Sequence, residues 1–245
     1  MAALAVDLFS RNLYERANDC RWWALNGVLA GALTGREGCD AEAAGAVLKH
    51  INSLYTVYSS IVLFDTNRRV VAVSRDDQAH LIGARIDEPW AVETLALVDS
   101  QGYCVSKFGP SSFADERDTL IYSATVRGGD RRAAGGVAVV FDACMQLNTM
   151  LIDALPHDEH GKLASGCLGV LLDREGRVMC SSDASPRLSA EMLDAIRKSV
   201  SSQGAQVRRI GEQYYAIGSR LDAGYREYSG IGAHAVVLLP LGRRS

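Results

Sequence analysis

Ile61-Val-Leu-Phe-Asp65-Thr-Asn-Arg-Arg69-Val70, with Ser74 nine residues after the aspartate, is a stretch that this chain uses twice. The second copy is Val170-Leu-Leu-Asp173-Arg-Glu-Gly-Arg177-Val178, with Ser182 again nine residues past its aspartate, at an offset of 108 residues. Each copy reads as a β-hairpin: an apolar run, a polar turn opened by Asp, and a second apolar run. Asp65 and Asp173 are read as turn residues, because an Asp side chain at such a place bonds its own backbone. The sharper alternative is a pair of catalytic carboxylates. A repeat of this size implies two copies of one fold unit, not a single α/β enzyme domain.

Each hairpin is followed by a helix and three further strand-like runs. In the first copy these are a helix at 89–95 and strands at 102–108, 120–126 and 136–141. In the second they are a helix at 190–200 and strands at 206–210, 213–220 and 233–239. Between them lie a helix at 144–155 and a Pro/Gly-bounded polar linker, Pro156-His-Asp-Glu-His-Gly161. Ahead of both, Val6, Phe9, Leu13, Ala17, Cys20, Ala24, Val28 and Gly31 recur at spacings of three and four and predict one helix over 6–33. At 1.5 Å per residue it would span about 42 Å. Asp40 is placed to cap a second helix running to about Leu54. The expected fold class is therefore α+β: two PAS-like modules, each an antiparallel sheet of about five strands with flanking helices, behind a long N-terminal helix. The expected division is helices at 1–55, a first module at 56–155, a linker at 156–162 and a second module at 163–245.

Composition narrows the function. The chain has 245 residues, 48% apolar and 22% charged, an ordinary globular balance that excludes a disordered or fibrous chain. A net charge of −3 offers no basic field for nucleic acid or an anionic lipid surface. The longest uncharged runs, 22–35 and 229–242, are too short for a spanning helix, which needs about 20 apolar residues. The start MAALAVDLFSRNLYER carries Asp7 and Arg11 where a signal peptide stays uncharged. Cys20, Cys39, Cys104, Cys144, Cys167 and Cys180 show no paired spacing, so six reduced and largely buried thiols are expected. Those points favour a cytoplasmic location, with the periplasmic one, as the sensor part of a longer receptor, as the alternative.

The plan resembles the double Cache sensor domain, with a long leading helix followed by a distal and a proximal PAS-like module. The match runs from about residue 6 to 241 and rests mainly on Ile82-Gly83, Pro89-Trp90, Tyr103-Cys-Val-Ser106, Leu120-Ile-Tyr-Ser-Ala124 and Gly135-Gly-Val-Ala-Val-Val-Phe-Asp142. By that resemblance Trp90 matches the family's pocket Trp, and Asp142 matches the Asp that holds a ligand's ammonium group in amino-acid-sensing members. Two positions depart from the pattern: Glu88 stands where that subfamily has an Arg carboxylate clamp, and Ala91 where it has Tyr. A carboxylate cannot do the work of a bidentate guanidinium, so a cationic or amine-bearing ligand suits the site better than an ordinary α-amino acid. Arg85, one turn earlier, is the one substitute clamp. Arg11-Asn-Leu-Tyr-Glu-Arg16 and Arg21-Trp-Trp-Ala24 resemble strings in chemotaxis-associated bacterial proteins, where such a sensor accompanies chemotaxis-adaptor modules.

Trp90, Tyr103, Ser106, Tyr122 and Asp142 form the expected ligand site, an aromatic box with one carboxylate that suits a small cation. The competing reading has Trp90 packing the core and Asp142 capping the helix that follows. His157-Asp-Glu-His160 has the spacing of two metal ligands on one helical turn, but it lies in the linker and is read as solvated, and no metal or other cofactor is expected. Trp22 and Trp23 project about 100° apart on a helix, one toward the sheet and the other toward a homodimer partner. There is no G-x-S-x-G, G-x-x-x-x-G-K, G-x-G-x-x-G after a strand, or H-E-x-x-H, so no enzyme is expected. The sequence reading is a non-catalytic small-molecule sensor working with chemotaxis or other signalling proteins. A degenerate sensor acting only as a dimerisation or docking scaffold is the alternative.

Overall fold

In the computed structural model, which describes residues 1–183, 188–202 and 204–242, the chain opens with three helices, α1 (Ala2–Trp23), α2 (Gly27–Thr34) and α3 (Ala41–Leu54). Then come β1 (Tyr58–Asp65), β2 (Val70–Val73), α4 (Pro89–Leu95), β3 (Cys104–Val105), β4 (Gly109–Ser111), β5 (Arg117–Arg127) and β6 (Ala133–Phe141). The rest is α5 (Ala143–Asp153), β7 (Leu168–Leu172), β8 (Val178–Ser181), α6 (Ala190–Ser202), β9 (Gly204–Ile210), β10 (Gln213–Leu221) and β11 (His234–Gly242). By contacts the chain divides into two units, Glu15–Ala143, and Met1–Tyr14 together with Cys144–Ser245.

The Glu15–Ala143 unit holds an antiparallel sheet ordered β2-β1-β6-β5-β3, with β4 also paired to β5. The other unit holds a sheet ordered β8-β7-β11-β10-β9. The orders correspond strand for strand, so the 108-residue repeat is a repeat of topology. It reaches individual atoms. Asp65 Oδ1 accepts the N–H groups of Asn67 and Arg69, both at 2.8 Å, and Asp173 Oδ1 accepts those of Glu175 and Arg177 at 2.9 and 2.8 Å. Ser74 Oγ accepts the N–H of Ile61 at 2.8 Å, and Ser182 Oγ that of Gly169 at 2.9 Å. Both aspartates therefore serve their own turns.

The single helix expected over 6–33 is two helices. Asn26 sits in extended backbone (φ −65°, ψ 123°), and its side-chain oxygen accepts the N–H of Val28 at 2.9 Å and of Leu29 at 3.3 Å. A side chain that satisfies the first N–H groups of a new helix competes with continuing the old one. The strand expected over 102–108 is also reduced, to Cys104–Val105, with Gly109–Ser111 pairing separately lower on β5. Asp40 caps α3 as expected, accepting the N–H of Ala43 at 2.8 Å. His157-Asp-Glu-His160 forms a turn in which Asp158 Oδ1 takes the N–H groups of His160 and Lys162, both at 2.9 Å.

In the Glu15–Ala143 unit the sheet is covered on both faces. Val62, Phe64, Ile121, Ala138 and Val140 pack on one face with Trp90 and Ala91 of α4 and with Phe113. Gly135 and Gly136 mark how tightly both faces are covered. A Cβ at Gly135 would lie 2.8 Å from Leu33 of α2, and one at Gly136 only 2.3 Å from the Phe64 ring and 3.0 Å from Thr94 of α4. The second sheet packs Val170, Leu172, Ile217, Val236 and Leu238 with Ala195 and Ile196 of α6.

Candidate functional site

Alternation along β5 decides which side chains meet. Successive residues of a strand point to opposite faces. Ile121 packs with Trp90, Ser123 Oγ lies 2.6 Å from Thr94 Oγ1, and Thr125 Oγ1 donates to the Thr94 carbonyl at 2.6 Å, so the odd positions face α4. Tyr122 lies between them and faces the other way, fully buried. The sheet therefore separates Trp90 from Tyr122, and the five expected site residues do not form one box.

Trp90 is 2% exposed and sits between two rings, Phe64 at 5.5 Å and Phe113 at 6.1 Å between centroids, both edge-on. Its indole Nε1 donates to Glu88 Oε2 at 2.7 Å. Ser106 zips onto the edge of β5: its N–H donates to the Ile121 carbonyl at 2.8 Å and its Oγ accepts the Ile121 N–H at 2.9 Å. Tyr103 is half-buried, with the Arg21 guanidinium 5.5 Å above its ring. Asp142 follows directly on β6, its N–H donating to the Val57 carbonyl at 3.0 Å. Its half-buried carboxylate makes no hydrogen bond among the described residues, so it does not cap α5. By alternation past Val140 it falls on the Trp90 side of the sheet.

An open cleft of about 470 Å³ lies on this side of the unit, between the segment from Leu81 to Glu88 and the segment from Pro110 to Glu116. Sequence reasoning missed it, because its walls, the loop before α4 and the segment from β4 into the turn after it, meet only in the folded chain. The first wall is laid along the edge of β2 by three backbone bonds: Val70 N–H to Ala84 O (2.9 Å), Gly83 N–H to Val70 O (2.8 Å) and Ile86 N–H to Arg68 O (2.8 Å). The second is tied in by Gln78, 2% exposed, which accepts from Ser60 Oγ at 2.5 Å and donates to the Phe113 carbonyl at 2.9 Å. Glu88 joins the walls, accepting from Ser111 Oγ at 2.8 Å and Ser112 Oγ at 3.3 Å as well as from Trp90. The departure from the family pattern at Glu88 was the one sequence signal that pointed here. Arg85 is exposed on the same rim, 3.8 Å from Asp87.

A polar path runs from the sheet to α1 within this unit. The Tyr58 hydroxyl donates to Asp19, Arg16 lies 3.6 Å from Asp19, and the Arg16 guanidinium stacks over Tyr58 at 5.2 Å and Phe141 at 5.8 Å. Burial raises the Asp19 carboxyl above its usual value, outweighing the Tyr58 hydroxyl and Arg16, which lower it. Burial likewise pushes the Tyr58 hydroxyl up. Trp23 is buried edge-on to Tyr55 and Tyr58, at 5.1 and 5.5 Å, whereas Trp22 is 74% exposed. No group of three or more His, Cys, Asp or Glu side chains suited to a metal ion is present among the described residues.

No family model and no curated protein matches the sequence. Solved structures do. The sensor domain of the V. cholerae histidine kinase DctB superposes with a TM-score of 0.64 at 17% identity, over 98% of this chain and 95% of that one. The ligand-binding domain of the Pseudomonas aeruginosa PAO1 amino acid chemoreceptor PctC, in complex with GABA, gives 0.63 at 13%, over 97% and 96%. An extracellular ligand binding receptor from Desulfohalobium retbaense gives 0.62 at 13%, over 97% of this chain and 39% of that one. The cytoplasmic location expected from the sequence is corrected by these likenesses, one of them to a receptor described as extracellular, which favour the periplasmic alternative. The cysteines that had suggested a reducing compartment do not decide the matter: burial pushes the thiols of Cys104 and Cys180 up to about 12, away from the reactive thiolate form. The chain has the two-module fold of double Cache sensor domains.

Proposed function

We propose that this chain is a non-catalytic sensor for bacterial signal transduction or chemotaxis. It takes a small amine or other small polar metabolite into the first PAS-like module and relays occupancy through α1. The observation that carries the reading is Asp142: a half-buried carboxylate, unpartnered among the described residues, at the end of the strand whose inner positions pack around Trp90. Trp90, Tyr103 and Ser106 are the further residues assigned to this site, with Tyr122 acting from the opposite face through packing. The relay begins next door. The Asp142 N–H holds the Val57 carbonyl, and the adjoining Tyr58 holds Asp19 on α1. A ligand moves such an equilibrium only by its difference in affinity for the two states. The exposed Trp22 on α1 suits a homodimer contact, and chemotaxis or other signalling proteins are the proposed downstream partners.

One observation favours a second reading. Trp90 is already packed between Phe64 and Phe113, as a degenerate sensor serving as a dimerisation or docking scaffold would have it. A thermal-shift screen against amines, amino acids, organic acids and purines separates the two, with Asp142→Ala beside the wild type. A ligand at 100 times its Kd adds about 2.7 kcal/mol, or roughly 5–10 °C for a chain of this size. A hit lost in Asp142→Ala supports the sensor. A folded wild type that answers no ligand leaves the scaffold.

A further inference from the structure

The strongest unassigned feature is the cleft between Leu81–Glu88 and Pro110–Glu116, and the charge of its lining is lopsided. Glu88 reaches it with three hydrogen-bond donors, the Trp90 indole at 2.7 Å and the hydroxyls of Ser111 at 2.8 Å and Ser112 at 3.3 Å. All three are uncharged, and no cation pairs with this half-buried carboxylate among the described residues. A carboxylate drawn partly out of water without a counter-charge favours a cation beside it. Three donors also leave an acceptor position open, since an ionised carboxylate offers about four.

Among the lining residues the rim adds Asp87 and Glu116 against Arg85, which lies 3.8 Å from Asp87, and the Arg68 and Arg69 guanidiniums beside this wall are held on the carbonyls of Ile86 and Gly83. An anionic ligand would meet the carboxylates of this lining unfavourably. The floor is of the opposite character, with Val70, Leu81, Ile86 and Phe113 giving apolar contact. At about 470 Å³ the cleft is within the range that takes small organic ligands. Its walls are held by backbone pairing to β2 and by Gln78, so it is formed before anything enters.

We propose that this cleft binds an organic ammonium ion with an apolar body and no carboxylate, its charged end on Glu88 and its body against Ile86 and Phe113. The proposal rests on the sensor reading above and names Glu88, which holds the Trp90 indole, as the group that takes the ligand's charged end.

The test is calorimetric titration of the whole chain with three probes that share one apolar body: 2-phenylethylamine, L-phenylalanine and 3-phenylpropanoate. The amine is expected to bind at least about tenfold more tightly than the amino acid, and the acid not to bind, since a hydrogen bond to a charged group is worth about one to two decades of affinity. Glu88→Gln should weaken the amine by about ten- to a hundredfold, for the same reason. Ala84→Trp, at an exposed position on the cleft wall, should block it without touching the core. Amine binding that survives Glu88→Gln and Ala84→Trp but vanishes in Asp142→Ala overturns the cleft and leaves the sensor reading standing. Binding of the acid as tight as the amine, or no binding of the amine at all, overturns the cleft assignment as well. A response to another ligand in the wider thermal-shift screen would then still uphold the sensor.

Discussion

The hydroxyls of Thr94 and Ser123 lie 2.6 Å apart in the buried interior of the Glu15–Ala143 unit, joining α4 to β5. Thr94 Oγ1 also donates to the Trp90 carbonyl at 2.6 Å, and the Thr94 carbonyl accepts from Thr125 Oγ1 at 2.6 Å. One residue therefore fixes the helix that carries Trp90 to the sheet. Thr94→Val keeps the shape and leaves the Ser123 hydroxyl without that partner. The expected loss is about 1–3 kcal/mol, read as a lower urea midpoint with an unchanged slope. A midpoint within error of the wild type would show that this pair does not hold α4.

Gly136 of β6 is predicted to resist replacement. A methyl there meets the Phe64 ring at 2.3 Å, and forcing an extra carbon into a packed core costs about 1–3 kcal/mol. Gly129, in the turn before β6, has nothing within 4 Å of the place a Cβ would take and a φ that is not positive. Gly129→Ala should stay within about 0.5 kcal/mol of the wild type. Equal effects at the two positions would refute the crowding argument.

Asp19 gives a pH signature. Its carboxyl is raised above the usual 3.8 by burial, so the folded chain binds the proton more tightly than the unfolded chain. Stability from this group is fully present below 3.8 and is lost as pH rises through the raised value. Asp19→Asn retains an acceptor for the Tyr58 hydroxyl and removes the titration. The wild type should therefore lose stability relative to the variant across that window, in paired urea titrations at several pH values. A difference that does not change with pH contradicts the shift.

Thiol reactivity should follow burial. Cys144 is exposed and Cys20 and Cys104 are buried, with the Cys104 thiol pushed up to about 12 by burial and the neighbouring Glu93 carboxylate. The thiolate is the reactive form. An aromatic disulfide reagent at pH 8 should modify Cys144 promptly and Cys20 and Cys104 only as the chain opens. Prompt reaction of Cys20 would mean that α1 is not seated on the sheet.

Much of the fold was legible because it is written in local chemistry. Asp65 and Asp173 turn their own backbones, Ser74 and Ser182 close the same ring 108 residues apart, and Asp40 caps the helix that follows it. The break after Trp23 was not legible in the apolar period, since an Asn26 cap and a continuing helix share the same stripe. Trp22 and Trp23 divide as adjacent helical positions must, one exposed and one buried.

The site divides along the same line. The two-module plan, the placing of Trp90 on a short helix and of Asp142 at the end of a strand, and the presence of Glu88 where the family resembled has arginine all follow from the order of residues alone. Long-range contacts settled the rest: Trp90 and Tyr122 lie on opposite faces of one sheet, the Asp142 carboxylate makes no hydrogen bond among the described residues, and Glu88 opens on a cleft with no cation paired to it among them. The physical reason is that a period of two fixes which residues of a strand share a face. Which face meets which helix, and which loops close over it, depends on contacts between residues far apart in the chain.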